Sequence, residues 1–141
     1  MSAAGFTITT LVDQLEAESD RGAALLAASF VNEALKRKLL AHFRHRKPGR
    51  ELLDDANAPL AGFSAAAKAC RALDLVTEEQ YRRLLVLRQL RNDFAHAWDT
   101  LHFSTPGVQK QVKSLGVDAP SLRKAFEKTV IELLRDLGVD E

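Results

Sequence analysis

The stretch that decides the fold is residues 19–39, which read SDRGAALLAASFVNEALKRKL. Its apolar positions recur at spacings of three and four and comprise Ala24, Ala28, Val31, Leu35 and Leu39. This period is typical of one buried face of an α-helix about four turns long. Ser19 can accept a hydrogen bond from the first free amides, and Asp20 places negative charge where the helix dipole favours it. The stretch therefore predicts a long central helix.

The same period continues on both sides of this segment. It predicts a short helix around residues 11–15, a helix capped by Ser64, and a last helix at about 119–137. Alternation of period two, the pattern of a half-buried strand, does not extend far enough for a strand. We predict an all-α protein, a compact bundle of about five principal helices that forms a single domain over residues 1–141.

Two boundaries follow from local chemistry. The pair Pro48-Gly49, in Lys47-Pro48-Gly49, is typical of a break, so the central helix should end before it. Thr77 and Gln80 are spaced as a capping box, in which each side chain bonds the other residue's backbone amide. The helix that they open should run to about His96.

Composition limits the function classes. The 141 residues carry a formal net charge of +1, which gives no argument for a wrapped nucleic acid or an anionic membrane. Cys70 is the one cysteine, so the fold cannot depend on an internal disulfide. No secretory signal opens the chain and no run of about 20 apolar residues could span a bilayer. We therefore expect a cytoplasmic protein with no membrane partner.

Residues 91–96, RNDFAH, are the sharpest functional signal. Arg91 matches phosphate geometry, Asn92 is a neutral hydrogen-bonding group, and His96 can act as a general acid or base. Together they could cleave RNA without a metal. Residues five apart lie about 140° apart on an ideal helix. Arg91 and His96 therefore share a face only if the helix ends or distorts between them; alternatively, they meet across the two-fold axis of a homodimer. The structural alternative is that Arg91 pairs with Asp20 while His96 stabilises the helix C-terminus.

A second polar group precedes the central helix. Ser19, Asp20 and Arg21 are followed by Gly22, and a helix N-terminus of this kind can bind an anion. The alternative is a capped helix start with an internal Asp–Arg pair.

A third candidate is the basic stretch of residues 36–50. Its arginines and lysines could follow a phosphate backbone, with Arg37, Arg44, Arg46, Lys47 and Arg50 as the nucleic-acid-binding candidates. Phe43 is the one aromatic residue among them, so a base-stacking platform is not expected. The alternative is a solvated helix end. Neither a phosphate loop nor a dinucleotide fingerprint is present, and we expect no cofactor and no metal site.

Three stretches together resemble the mannitol operon repressor family. They are Glu18-Ser19-Asp20-Arg21-Gly22, Pro59-Leu60-Ala61-Gly62-Phe63-Ser64 and Leu90-Arg91-Asn92-Asp93-Phe94-Ala95-His96. The resemblance extends over roughly residues 10–115. It implies a small helical bundle and negative control of a sugar-alcohol operon.

The spacing Arg91-Asn92-x-x-x-His96 also resembles the signature of the HEPN superfamily (higher eukaryote and prokaryote nucleotide-binding). This resemblance implies a dimeric helical bundle, in many members a metal-independent ribonuclease with a site shared between two chains. Arg91 and His96 would then be catalytic.

The first interpretation is a regulatory protein of the mannitol-repressor type, acting through nucleic-acid or protein contacts. One alternative is the metal-independent endoribonuclease, and a further one is a protein-interaction module. A recognisable DNA-reading motif is missing, which disfavours direct reading of a DNA sequence.

Overall fold

The protein is described by a computed structural model over residues 5–141, and across this range it contains α-helices and no strand. The seven helices are α1 (Ile8–Glu16), α2 (Asp20–His42), α3 (Arg46–Leu53), α4 (Phe63–Ala72), α5 (Glu78–His96), α6 (Pro106–Ser114) and α7 (Leu122–Asp136). The predicted all-α class is confirmed, with short helices raising the number above five. Residues 1–4 of the predicted domain lie outside the described range.

Helix α2 is the centre of the bundle, as predicted. It is the longest helix, with 23 residues, and Ser19 Oγ accepts a hydrogen bond of 3.0 Å from the amide of Gly22 at its start. Its predicted apolar face is buried, and α1, α3, α4, α5 and α7 all pack against it. The face begins with alanines, whose small side chains let neighbouring helices approach closely.

The central helix ends before Pro48-Gly49, as predicted, but these two residues do not form the break. Helix α2 ends at His42, Phe43 is extended, and α3 begins at Arg46 and passes through both residues. Pro48 is tolerated because it is the third residue of α3, where a backbone amide has no partner within the helix. Gly49 is buried against Phe43, and a Cβ at this position would lie 2.8 Å from Phe43 Cδ2.

The predicted start and end of α5 are confirmed, whereas the predicted start of α4 is wrong. The capping box is confirmed: Thr77 Oγ1 accepts from the Gln80 amide at 3.1 Å, and the Gln80 side chain accepts from the Thr77 amide at 2.8 Å. Helix α5 ends at His96, as predicted. The predicted cap at Ser64 is wrong, since α4 already begins at Phe63 without any side-chain cap.

Three phenylalanine rings pack in series where the C-terminal end of α5 meets α7. The Phe94 and Phe103 ring centroids are 5.3 Å apart, and those of Phe103 and Phe126 are 4.8 Å apart. These contacts tie α5 and α7 to the connection between α5 and α6, and so fix the C-terminal end of α5. Over residues 5–141, no helix combines the length and the apolar character needed to cross a bilayer.

Candidate functional site

Arg91 lies on α5 and is exposed. Its Nη1 donates to Oδ1 of the neighbouring Asn92 at 3.0 Å, and it forms no ion pair with any residue of the described range. It lines a small cleft of about 250 Å³ between α2 and the start of α4, together with Asn32 and Phe63. The proposed pair with Asp20 is therefore wrong, because Asp20 has other partners.

Asp20 is the junction of the N-terminal polar group. Its Oδ1 accepts from Nη1 of Arg123 at 2.9 Å, and its Oδ2 accepts from the backbone amide of Phe103 at 3.0 Å. Arg21, next in sequence, donates from Nη2 to the backbone carbonyl of Ala95 at 3.1 Å. The group around Asp20 therefore connects the start of α2 to α7 and to the end of α5. The predicted internal Asp–Arg pair is wrong, because Asp20 pairs with Arg123 of α7 and Arg21 donates to Ala95.

His96 occupies the last turn of α5 and is exposed. It lines a second and larger cleft, of about 560 Å³, between the end of α5 and α6. Asn92 lines this cleft as well, whereas Arg91 lines the smaller one. One chain thus brings Asn92 and His96 together and leaves Arg91 on another side of α5, as the helical spacing predicts.

The second cleft contains a carboxylate that we did not single out from the sequence. Asp93 Oδ1 accepts from Nε2 of Gln89 at 2.9 Å, and Oδ2 accepts from Nε2 of Gln111 at 2.7 Å. Asp93 forms no ion pair with the residues described. The position of Asp93 inside the RNDFAH segment could have indicated it as a site residue. Its partner Gln111 comes from α6, and no local sequence pattern indicates that Gln111 belongs to the site.

Trp98 is the second residue missed. It lies two positions after the end of α5 and is 100% exposed. The preceding residue, Ala97, lines the second cleft. It is the protein's one tryptophan. A tryptophan is usually well buried. The position of Trp98 in a polar connection between helices could have indicated an exposed tryptophan from the sequence.

Two of the five candidates in the basic stretch are paired with acids, and three are not, among the residues described. Arg37 Nε is 2.8 Å from Glu33 Oε2, and its guanidinium lies 4.1 Å from the ring centroid of Phe6. Arg50 Nη1 is 3.2 Å from Asp54 Oδ2. The other three candidates are exposed and have no such partner in the described part of the chain; they are Arg44, Arg46 and Lys47.

Metal binding and thiol chemistry each require a particular arrangement of side chains. Within the described residues, no three side chains of His, Cys, Asp or Glu come together as a metal site would require. Cys70 is buried on α4, and its Sγ donates to the backbone carbonyl of Leu35 at 3.8 Å. Burial raises the pKa of the Cys70 thiol to about 11, against an opposing effect of Lys38. A thiol of this kind is a poor nucleophile.

One solved structure gives a strong comparison. A chain in the X-ray structure of the MtlR–HPr complex from Escherichia coli superimposes with a TM-score of 0.80. The match covers 94% of this chain and 98% of that chain at 18% sequence identity. No protein-family model and no curated protein matches the sequence. The likeness confirms the type of fold that the resemblance to mannitol operon repressors implies.

Proposed function

We propose that this chain is a regulatory module of the mannitol-repressor type, a single cytoplasmic domain that controls gene expression negatively by binding a protein partner. The partner that we propose first is an HPr-like protein, because the similar fold was solved in a complex with HPr. The proposal rests on contacts between proteins, and a role for nucleic acid is secondary to it.

The observation that carries the proposal is the exposure of Trp98. Leaving a whole indole in water forgoes the burial of a large apolar side chain, at a cost of about 1.5–3 kcal/mol for side chains of this class. Tryptophan is also among the residues that contribute most to binding when an interface covers them. A protein surface that covers Trp98 would recover this free energy.

The other sites support a nucleic-acid function less well. Arg91 and His96 line different clefts, so one chain does not hold both against one phosphate. In the basic stretch, Arg37 and Arg50 are already paired with acids. The formal charge of +1 adds no long-range attraction for a polyanion.

The test is titration calorimetry of the chain with purified HPr. Trp98→Ala should weaken binding by at least tenfold, in keeping with the roughly 2 kcal/mol or more of a typical hot spot, and should leave the melting temperature unchanged. Leu73→Ala is the matched control, because Leu73 is also exposed but lies at the end of α4. Equal affinities for all three proteins, or no binding by the parent, would reject the proposal.

A metal-independent endoribonuclease is the second candidate. It is favoured by one observation: Arg91 is an exposed cation without an acidic partner in the described range, and Asn92 joins it to the cleft that contains His96. In a homodimer, Arg91 of one chain could meet His96 of the other. The test is whether Arg91→Ala and His96→Ala each abolish RNA cleavage and whether a mixture of the two variants restores it.

A further inference from the structure

We infer that the cleft between α5 and α6 is a receptor for an arginine side chain of a protein partner, with Asp93 as the anion that binds it. The inference rests on the proposed function and names the chemistry of its binding surface.

First, the charge of the Asp93 carboxylate is not balanced by a cation of the described residues. Asp93 is half-buried, and each of its oxygens accepts one amide hydrogen bond, from Gln89 or Gln111. Neutral amides hold the carboxylate in place and do not cancel its charge. Neither an arginine nor a lysine of the described residues lies within ion-pair distance of it. Each carboxylate oxygen has a further lone pair, so the group can accept hydrogen bonds from a cation that enters the cleft.

The second step concerns the hydrogen-bonding character of the wall. Because Gln111 donates its Nε2 to Asp93, its Oε1 is directed elsewhere, and this oxygen is buried without a hydrogen-bond partner among the described residues. A buried carbonyl without a donor costs about 1–3 kcal/mol. Gln111 thus adds a second acceptor next to the Asp93 carboxylate, and a ligand rich in N–H groups would match this wall. An anionic ligand would instead be repelled by the Asp93 carboxylate.

The third step selects arginine among cations. The guanidinium is planar, carries five N–H donors and stacks on aromatic rings, whereas an ammonium is a strongly hydrated point charge. Trp98 stands fully exposed one residue beyond Ala97, which lines the cleft. This indole is free to contact a partner that docks beside the cleft, and indole is the ring that gives the strongest cation–π contacts. The cleft, at about 560 Å³ and open to solvent, admits an arginine side chain.

The probe is N-acetyl-L-arginine amide, titrated into the full chain while the fluorescence of Trp98, the one tryptophan, is recorded. The neutral isostere N-acetyl-L-citrulline amide is titrated in parallel. We expect a saturable change with the arginine compound and a much weaker one with citrulline. Asp93→Asn should weaken arginine binding by about tenfold, because it removes the charge from the hydrogen bonds.

The matched control is Asp99→Asn, which removes one negative charge beside Trp98 from a residue that does not line the cleft. It should bind the arginine compound as the parent does. Equal binding of arginine and citrulline, an unaffected Asp93→Asn variant, an equal loss in Asp99→Asn, or no saturable change would overturn the inference. HPr binding that survives Asp93→Asn unchanged would leave the proposed function standing and reject this site alone.

Discussion

Asp20 Oδ1 lies 2.9 Å from Nη1 of Arg123, so the start of α2 is joined by an ion pair to the first turns of α7, 103 positions further along the chain. Arg123 also donates from Nη2 to the carbonyls of Leu15 and Glu18, at 2.6 and 2.9 Å. The two carbonyls belong to the end of α1 and its connection to α2; that of Leu15 also accepts from the Glu18 amide at 3.1 Å. One guanidinium therefore holds three helices together.

Arg123→Ala should lower the free energy of unfolding by about 1–3 kcal/mol, because Asp20 loses its ion pair and the carbonyls of Leu15 and Glu18 lose the guanidinium donor. The side chains of Arg123 and Asp20 are only 25% and 22% exposed, so water compensates this loss incompletely. Arg135→Ala is the control, since its pair with Glu141 is exposed and such pairs contribute little. Denaturant melts of both variants provide the measurement, and similar midpoints for the two would contradict this reading of Arg123.

Gly49→Ala should destabilise the protein by about 1 kcal/mol or more, despite the better helix propensity of alanine. The added Cβ would lie 2.8 Å from Phe43 Cδ2 and 3.3 Å from Phe43 Cβ, so the ring would have to move. Gly107→Ala in α6 is the control, because a Cβ there meets nothing within 4 Å. It should be neutral or stabilising by roughly 0.4–1 kcal/mol. Thermal melts that rank Gly107→Ala below Gly49→Ala would refute the close contact.

Much of this fold was predictable because its determinants are local. The spacing of apolar residues specifies the buried face of α2, and the Thr77–Gln80 box involves residues three apart. Ser64 failed as a cap because α4 begins one residue before it, at Phe63, with Gly62 in the cap position and no side-chain hydrogen bond.

The candidate site was less predictable because its determinants are not local. Arg123, the ion-pair partner of Asp20, is 103 positions away, and Gln111, the partner of Asp93 on α6, is 18 positions away, so no local pattern links either pair. The separation of Arg91 from His96 was predictable, since it follows from helical geometry alone.

Replacing Arg44, Arg46 and Lys47 together with glutamine should remove any binding of nucleic acid by the basic stretch. These three side chains are exposed and free of ion pairs in the described structure. The slope of log affinity against log salt should fall by about one for each cation lost that contacts a phosphate. The measurement is fluorescence anisotropy with labelled RNA and DNA over a range of salt concentrations.

The control for this series is Arg37→Gln with Arg50→Gln, two cations already bound to Glu33 and Asp54. Their replacement should change the slope less. An equal change in both series, or an affinity that the triple variant leaves intact, would assign the basic stretch to solvent.

The endoribonuclease candidate predicts that Arg91→Ala and His96→Ala each abolish RNA cleavage and leave the fold intact. Loss of proton transfer by His96 is worth about 10²–10⁴ in rate. The melting temperature should hardly change in either variant, because both side chains are exposed and Arg91 bonds only the adjacent Asn92 among the described residues. Cleavage by the parent should survive a chelator, and its products should carry a 2′,3′-cyclic phosphate, since the ribose hydroxyl is the nucleophile.

Mixing the two inactive variants distinguishes a shared site from one within a chain. In a mixed dimer, the His96→Ala chain supplies Arg91 and the Arg91→Ala chain supplies His96, so one complete site forms across the two-fold axis. Because the two residues line different clefts of one chain, we expect any cleavage activity to reappear in the mixture. Light scattering must show a dimer at the assay concentration. A monomer, a mixture that stays inactive, or a parent that cleaves none of a varied set of RNAs excludes the shared site.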